Sequence, residues 1–262
     1  MQRSGSSSGK GAGLSGSAVQ GRFTFDGVAG ARTNSFPSVD IANGAPLGTG
    51  ATNRIVMTWC DGPTPSTTSP GPNEQALVSM STDRGVSWST PVNAALAADR
   101  PDFPAIAISP DGTDVYLVYM NFQQPWQPKT ASPRLMEGVV LHANVAAGAL
   151  GAFAQVYRGA TGDARASSAN GLTSEFLGDY NYVSATNDFA VAVWNDVREA
   201  ADCPAIDVYR QKIADGTATA SASDPARPEP QQDCPAPLPT TTGTIAFGNT
   251  SIFSARVGDP TP

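Results

Sequence analysis

The sequence has few of the residues on which most catalytic machinery depends. Its 262 residues include a single histidine, His142, and only 15% of them are charged. One histidine argues against Ser-His-Asp catalysis and against histidine-based metal sites. No P-loop, dinucleotide-binding or EF-hand motif is present. We therefore expect no cofactor or metal, with calcium held by aspartate and carbonyl oxygens as the one exception left open.

Basic stripes and long apolar runs are also missing. The 16 Lys and Arg residues are outnumbered by 23 Asp and Glu residues, which gives a net charge of −7 and disfavours nucleic-acid binding. No run approaches the roughly 18 apolar residues that a membrane span needs. Residues 1–21 are rich in Ser and Gly and lack an apolar stretch, so we interpret them as a flexible leader and not as a signal peptide.

Cysteine is scarce, with three residues in the chain. Cys203 and Cys234 both occur in Asp-Cys-Pro contexts and flank a Pro/Ala/Thr-rich stretch, within a region where we predict an insertion near 215–243. We predict that these two form a disulfide, which would stabilise the fold by about 3–4 kcal/mol in the chain-entropy account, and that Cys60 is free. The alternative is a pair of unbonded loop thiols.

What the chain does contain is glycine (26), proline (22) and short apolar clusters in a repeated order. Each repeat starts with a short alternating run that ends in turn residues, at 36–44, 103–112 and 180–188. A more continuous apolar run follows and ends at an aromatic residue. These second strands are predicted at Ile55–Trp59, Val115–Tyr119 and Phe189–Trp194.

Further strands follow in each repeat. Third strands are predicted at Gln75–Ser81, Gly138–Val145 and Ala205–Ile213. Fourth strands are predicted at Ser87–Val92 and Ala152–Tyr157, and the candidates for the last repeat lie within Thr244–Val257. No amphipathic helix of useful length is evident.

The repeats predict an all-β fold made of four-stranded antiparallel meanders. Radial repetition of such sheets is the β-propeller architecture, which leaves only short sheet edges exposed. The blades would occupy about 36–92, 103–158 and 177–257 within a domain spanning 22–262. A β-sandwich is the alternative, although it does not require each second strand to end in an aromatic residue and a polar corner, as happens at 59–61, 119–121 and 194–196.

The most specific local motif spans residues 81–88 and reads Ser-Thr-Asp-Arg-Gly-Val-Ser-Trp. It resembles the Asp-box of bacterial neuraminidase repeats, with Ser81, Asp83, Gly85 and Trp88 at its defining positions. We expect the Asp83 carboxylate to accept backbone N–H groups in a turn and Gly85 to supply a positive φ. Trp88 is expected to pack over the hairpin, and Asp83 to have no catalytic role.

The segment 177–180, followed by 192–198, is also similar to segments of secreted sialidase-like proteins. Together these resemblances imply a sialidase-like propeller in an extracellular or cell-envelope location. They imply six blades, of which about three are visible, so the chain looks like the C-terminal half of a propeller. Two exposed sheet edges would remain in an open array of three blades, and two alternatives stay open: a truncated reading frame, or half of a homodimer that closes six blades.

The resemblance also implies a ligand site where first strands begin and where second strands lead into third strands. A sialidase uses a tyrosine nucleophile with an acidic partner, and arginines that hold the substrate carboxylate. The catalytic candidates are Tyr180, Tyr182, Glu137 and Asp179, with Glu175 as an alternative acid. The substrate-binding candidates are Arg198, Arg134, Asp196, Asp102 and Trp126, with Arg158 as a further arginine.

Two main functions follow from this resemblance. One is a sialidase-like glycoside hydrolase, of exo-α-sialidase type, that acts on sialic acid or another acidic sugar. The other is a non-catalytic module that binds glycans or proteins. Sialidases carry an Arg-Ile-Pro type motif that is absent from this sequence, which favours the second function. A truncated, functionally silent fragment is a weaker third interpretation.

Overall fold

The computed structural model describes residues 36–61, 74–124, 129–167, 172, 180–241 and 243–260. Strands dominate these residues and fall into successive antiparallel sheets in chain order. The all-β prediction is confirmed at this level. No helix within these ranges is long and apolar enough to cross a membrane.

The first sheet is a meander whose strands lie in chain order. Its strands are β1 (Ser38–Ile41), β2 (Ile55–Asp61), β3 (Gln75–Ser81) and β4 (Val92–Asn93). Strand β3 has the bounds that the apolar run predicts. The predicted fourth strand Ser87–Val92 is wrong, because residues 82–87 form turns and bends and pairing resumes only at Val92.

The second sheet forms the middle of the structure. Its strands are β5 (Pro101–Ile108), β6 (Asp114–Phe122), β7 (Leu135–Ala146), β8 (Ala149–Leu150), β9 (Ala154–Arg158) and β10 (Gly162–Asp163). Strand β6 pairs with β5 and β7, and the outer edge of β7 pairs in turn with β10, β9 and β8. Every residue of β5 and β6 is buried, as expected for strands covered on both faces.

The third sheet departs from the predicted repeat. Strands β11 (Tyr182–Ala185) and β12 (Phe189–Asp196) follow the pattern. The predicted third strand Ala205–Ile213 is wrong, because these residues lie in helix α1 (Pro204–Ala214). After α2 (Pro230–Asp233) and the small hairpin β13 (Leu238–Pro239) and β14 (Thr244–Ile245), strand β15 (Ser251–Gly258) pairs with β12. This sheet therefore has three described strands, in the order β11-β12-β15.

The physical basis of α1 lies in its first residues and its apolar spacing. Pro204 occupies the first turn, where a missing N–H costs nothing. Ile206, Tyr209 and Ile213 recur every three to four residues, and the first two are buried in a small core with Leu172. The expectation that the chain contains no amphipathic helix is therefore wrong.

The disulfide predicted between Cys203 and Cys234 is present, with its sulfur atoms 2.08 Å apart. It joins the start of α1 to the end of α2 across a sequence separation of 31 residues. Cys60 is a buried free thiol in β2. Burial, together with the nearby carboxylates of Asp102 and Glu74, raises the pKa of this thiol.

The three sheets stack face to face, with the second sheet between the other two. One apolar cluster joins the first and second sheets, through Val56 and Leu117 among others. Another joins the second and third sheets and includes Trp194. A Cβ atom at Gly138 would lie 2.4 Å from Trp194 Nε1, so this close approach requires glycine. In the first sheet β3 is buried at all but its first residue, whereas the burial of β1, and of β11 in the third sheet, alternates between half-buried and exposed.

Candidate functional site

The leading strands of the three sheets lie side by side and form a groove. The backbone N–H groups of Ile106 and Ile108 on β5 donate to Ser38 Oγ (3.3 Å) and Asp40 Oδ2 (3.0 Å) on β1. On the other side, Asn181 Nδ2, next to β11, donates to the carbonyl of Phe103 (2.7 Å). We call the surface lined by these three strands and their leading residues the inner-strand groove.

The inner-strand groove has a volume of about 620 Å³, and its surface combines polar groups with apolar and aromatic side chains. Tyr180 and Tyr182 line it with exposed fractions of 65% and 62%, and the exposed Val39 and Ile41 line it as well. Asp40 is the charged residue among the described lining residues, which include no Lys, Arg or Glu. A groove of this size and composition suits a small ligand that has apolar faces and no net negative charge.

The two tyrosines that the sequence predicts as nucleophiles are thus accessible. Glu137, their predicted partner, is absent from the lining of the inner-strand groove and is bonded to Arg158 instead. Asp179, Glu175 and Trp126 lie outside the described residues. A catalytic role for Tyr180 or Tyr182 stays a prediction.

Glu137 belongs to a buried network that we call the corner cluster, formed by Asp99, Tyr119, Asn121, Glu137 and Arg158. Arg158 Nη2 lies 2.8 Å from Asp99 Oδ2, and its Nη1 donates to Glu137 Oε1. Tyr119 donates its hydroxyl to Asp99 Oδ2 at 2.5 Å. Asn121 Nδ2 donates to Glu137 Oε1 at 3.0 Å. These contacts tie β6, β7 and β9 to the loop before β5.

The charged and polar groups of the corner cluster are paired with one another. Burial, reinforced by the hydrogen bond to Asp99, raises the pKa of Tyr119, so that its hydroxyl remains a donor. Burial would lower the pKa of Arg158, but its bonds to Asp99 and Glu137 outweigh that effect and raise it. The guanidinium of Arg158 therefore neutralises two carboxylates of the same chain instead of forming bidentate hydrogen bonds with a ligand carboxylate.

The other predicted arginines are also engaged within the chain. Arg198 donates to Asp196 through its backbone N–H (2.8 Å), Nε (2.9 Å) and Nη2 (2.6 Å), and its guanidinium lies 3.9 Å from the ring centroid of Phe253. These bonds to Asp196 raise the pKa of Arg198. Arg134 is buried and donates to the carbonyls of Ser132 and Lys129.

Asp196 and Asp102, the two predicted acidic contacts, also have structural roles. Trp194 Nε1 donates to Asp196 Oδ2 at 3.0 Å, and Phe103 N–H donates to Asp102 Oδ1 at 2.8 Å. Both aspartates are buried. The described part of the chain therefore contains no shared arginine pocket of the kind a sialidase resemblance implies.

A second charged network was missed by sequence reasoning because it depends on α1. Arg165 Nη1 lies 2.6 Å from Asp207 Oδ2 and 3.1 Å from Asp202 Oδ2, and its Nη2 lies 2.8 Å from Asp163 Oδ2. Arg210 Nη1 donates to the carbonyl of Arg165 at 2.8 Å. Burial and the neighbouring Asp202 raise the pKa of Asp207, against the effect of the two arginines. This network docks the helix on the second sheet.

The turn around Asp83 is structural. Ser81 Oγ and Ser87 N–H both donate to Asp83 Oδ1 at 2.8 Å, and Ser87 Oγ donates to Oδ2 at 2.6 Å. These hydrogen bonds, those of Ser87 first, lower the pKa of Asp83 to about 2. Gly85 has a φ of 84°, and Trp88 is half-buried. The carboxylate is thus occupied by its own turn.

Comparison with known proteins shows a distant structural similarity to a sialidase. No protein-family model matches the chain, and no curated protein matches it. Among solved structures, it is similar to a Hadza microbial sialidase, Hz136, with 11% sequence identity and a TM-score of 0.35. The similarity covers 62% of this chain and 29% of that one, so the chain spans less than a third of that sialidase.

Proposed function

We propose that this chain is a non-catalytic carbohydrate-binding module whose ligand lies in the inner-strand groove. The observation that carries the proposal is the pair of exposed tyrosines, Tyr180 and Tyr182, in a groove of about 620 Å³ with no basic residue among its described lining. Aromatic side chains with a polar tip combine apolar contact area with a hydrogen-bonding group at low entropic cost. A sugar ring presents both kinds of surface.

The charge of the groove favours a neutral sugar over sialic acid. Asp40 carries the one negative charge of the described lining, and its oxygens accept from Ile41 N–H (2.8 Å) and Ile108 N–H (3.0 Å). A substrate carboxylate would meet this like charge without a compensating guanidinium. The acidic-sugar specificity expected from the sequence is therefore not the one we propose.

The hydrolase alternative needs an acid beside the tyrosine and a free arginine cluster. Glu137 is paired with Arg158, and Arg198 is paired with Asp196. Each pair would have to break before its members could act on a substrate, leaving a buried charge uncompensated. These two ion pairs favour the binding function over catalysis.

Substitutions of the two tyrosines test the proposal. We expect the wild-type chain to bind a subset of neutral oligosaccharides on an array that also carries sialylated ones, and to bind them in solution by calorimetry. The Tyr180→Ala/Tyr182→Ala variant should lose at least about tenfold in affinity, because the stacking surface is removed. Tyr180→Phe/Tyr182→Phe should retain most of the affinity.

The matched control is Leu238→Ala, which removes a side chain of similar exposure, 61%, from the β13–β14 hairpin outside the groove. Its affinity should equal that of the wild type. Turnover of a fluorogenic sialoside that disappears in the Tyr→Phe double variant would reject the proposal in favour of the hydrolase. Equal binding by the Tyr→Ala variant would reject the groove as the site.

We propose further that the three sheets are blades of a propeller and that a second copy of the chain completes it. The support lies in two sheet faces that no described residue covers fully. The first sheet presents Val39 and Ile41, which also line the inner-strand groove, with exposed fractions of 60% and 45%, and the third presents Ile252, exposed by 69%. Under a two-fold axis, each face of one copy would pack on the other face of its partner.

The solution mass tests this assembly. We expect light scattering to give about twice the chain mass of 26.9 kDa. Ile252→Lys should shift the mass to that of a single chain without unfolding it, because the side chain is exposed and a charge at the interface is costly. A wild-type monomer across the micromolar range would contradict the dimer.

A further inference from the structure

Three metal-ligating side chains from distant parts of the sequence meet at one end of the second and third sheets. They are Asp114 at the start of β6, His142 in β7 and Asp259 directly after β15. One ligand atom from each lies within 4.8 Å of the other two. His142 Nε2 and Asp114 Oδ1 are 2.8 Å apart, and both side chains are almost fully buried.

The sheet geometry brings these residues together. Asp114 and Tyr116 are two positions apart on β6 and so share one face of the sheet. Tyr116 is the cross-strand partner of His142, and their ring centroids are 4.9 Å apart. Asp259 reaches the same place from the third sheet, where its N–H donates to the carbonyl of Asp188 at 2.9 Å. The cluster therefore bridges two sheets.

A fourth polar group, the Tyr116 hydroxyl, belongs to a ring that packs against His142 of this cluster. The Tyr116 hydroxyl is completely buried and makes no hydrogen bond to any described residue. Tyr116 also shares one face of β6 with Asp114. Buried hydroxyls nearly always have a partner, so an unpaired one beside three ligand atoms points to a missing ligand.

Two members of the cluster, Asp114 and Asp259, line an acidic pocket. This pocket has a volume of about 760 Å³, and its described lining includes Asp111, Asp114, Asp188 and Asp259 but no Lys or Arg. Four carboxylates without a cation in the lining create a negative potential that concentrates divalent cations at the site. The pocket gives an ion and its remaining water ligands access to the buried cluster.

We propose that Asp114, His142 and Asp259 bind a divalent transition-metal ion, with Zn²⁺ as the best fit, and that the Tyr116 hydroxyl completes the site. Zinc accepts imidazole and carboxylate ligands at about 2.0–2.2 Å in tetrahedral geometry, which places ligand atoms about 3.4 Å apart. Small side-chain adjustments would give this spacing. The imidazole nitrogen disfavours Mg²⁺ and Ca²⁺, which prefer oxygen ligands.

The ion would act as a cross-link between the second and third sheets. It replaces the proton shared by His142 and Asp114, and that proton passes to solvent, so binding should weaken at low pH. The site lies apart from the residues that line the inner-strand groove, so the two proposals stand or fall separately.

Calorimetry and thermal unfolding of the metal-free chain test the site. We expect one Zn²⁺ to bind per chain and to raise the midpoint of thermal unfolding by about 5 °C at saturation. Asp259→Asn changes one half-buried ligand at a strand end and should weaken Zn²⁺ binding at least about tenfold. The matched control Asp188→Asn removes a charge from the same pocket but no ligand, and should change affinity much less.

Three outcomes would overturn the metal-site proposal, and the measurements tell them apart. No Zn²⁺ binding by the wild-type chain overturns the proposal, whatever the variants do. Equal weakening by Asp188→Asn and Asp259→Asn reduces the site to a diffuse acidic surface and also overturns it. Stronger binding of Ca²⁺ than of Zn²⁺ overturns the metal class. If Asp259→Asn does not fold, His142→Gln provides the same comparison, with circular dichroism as the check on folding.

Discussion

Replacing Arg158 with methionine is expected to lower the free energy of unfolding by about 3–5 kcal/mol. The substitution leaves the carboxylates of Asp99 and Glu137 buried, with side-chain exposures of only 7% and 9%, and without their shared cation. Methionine preserves most of the apolar stem, so the loss reports mainly on the charge. Urea unfolding followed by circular dichroism measures the change in free energy.

Restoring neutrality in the corner cluster provides the control. Adding Asp99→Asn and Glu137→Gln to Arg158→Met removes all three charges, and most of the lost stability should return. Lys212→Ala, a substitution of an exposed helix residue, should change stability by no more than about 0.5 kcal/mol. A loss below about 1 kcal/mol for Arg158→Met would show that the network behaves as an exposed ion pair.

Removing the disulfide should have an effect of similar size. Cys203→Ser/Cys234→Ser opens a loop defined by a sequence separation of 31 residues, for which chain entropy predicts a loss of about 3–4 kcal/mol. The loss should appear as a lower urea midpoint. The disulfide holds the start of helix α1 at Cys203, so local unfolding of the variant should begin at this helix.

Reductant supplies an internal control for this prediction. It should lower the urea midpoint of the wild-type chain and leave that of the double serine variant unchanged. Thiol titration should detect Cys60 only after unfolding, because Cys60 is buried and its pKa is raised. Identical midpoints of the wild-type chain with and without reductant would contradict a stabilising disulfide.

The strands of the fold were predictable because their signal is local. Gln75–Ser81 and Phe189–Trp194 are short apolar runs flanked by turn residues, and both lie in strands. The helix at Pro204–Ala214 was missed although its signal is equally local. Ile206, Tyr209 and Ile213 have helical spacing, but the repeat pattern favoured a strand at this position. In the third sheet, the strand that pairs with β12 beyond β11 is β15, which follows after an insertion in the chain.

The candidate sites were less predictable because they depend on contacts between distant residues. Tyr180 and Tyr182 were selected from the sequence and are accessible, but nothing in the chain pattern shows that Arg158 pairs with Asp99 and Glu137. The same holds for His142, which the sequence places inside a strand. Only the pairing of β6 with β7 and the return of β15 bring it to Asp114 and Asp259.

The most direct test of the carbohydrate-binding proposal is to locate the bound sugar by amide chemical-shift mapping. The wild-type chain would be titrated with the neutral oligosaccharide that it binds best. We expect the perturbed amides to belong to β1, β5 and β11, with the largest shifts next to Tyr180 and Tyr182. Shifts concentrated at Glu137 and at Asp196–Arg198, with the inner-strand groove unchanged, would contradict it.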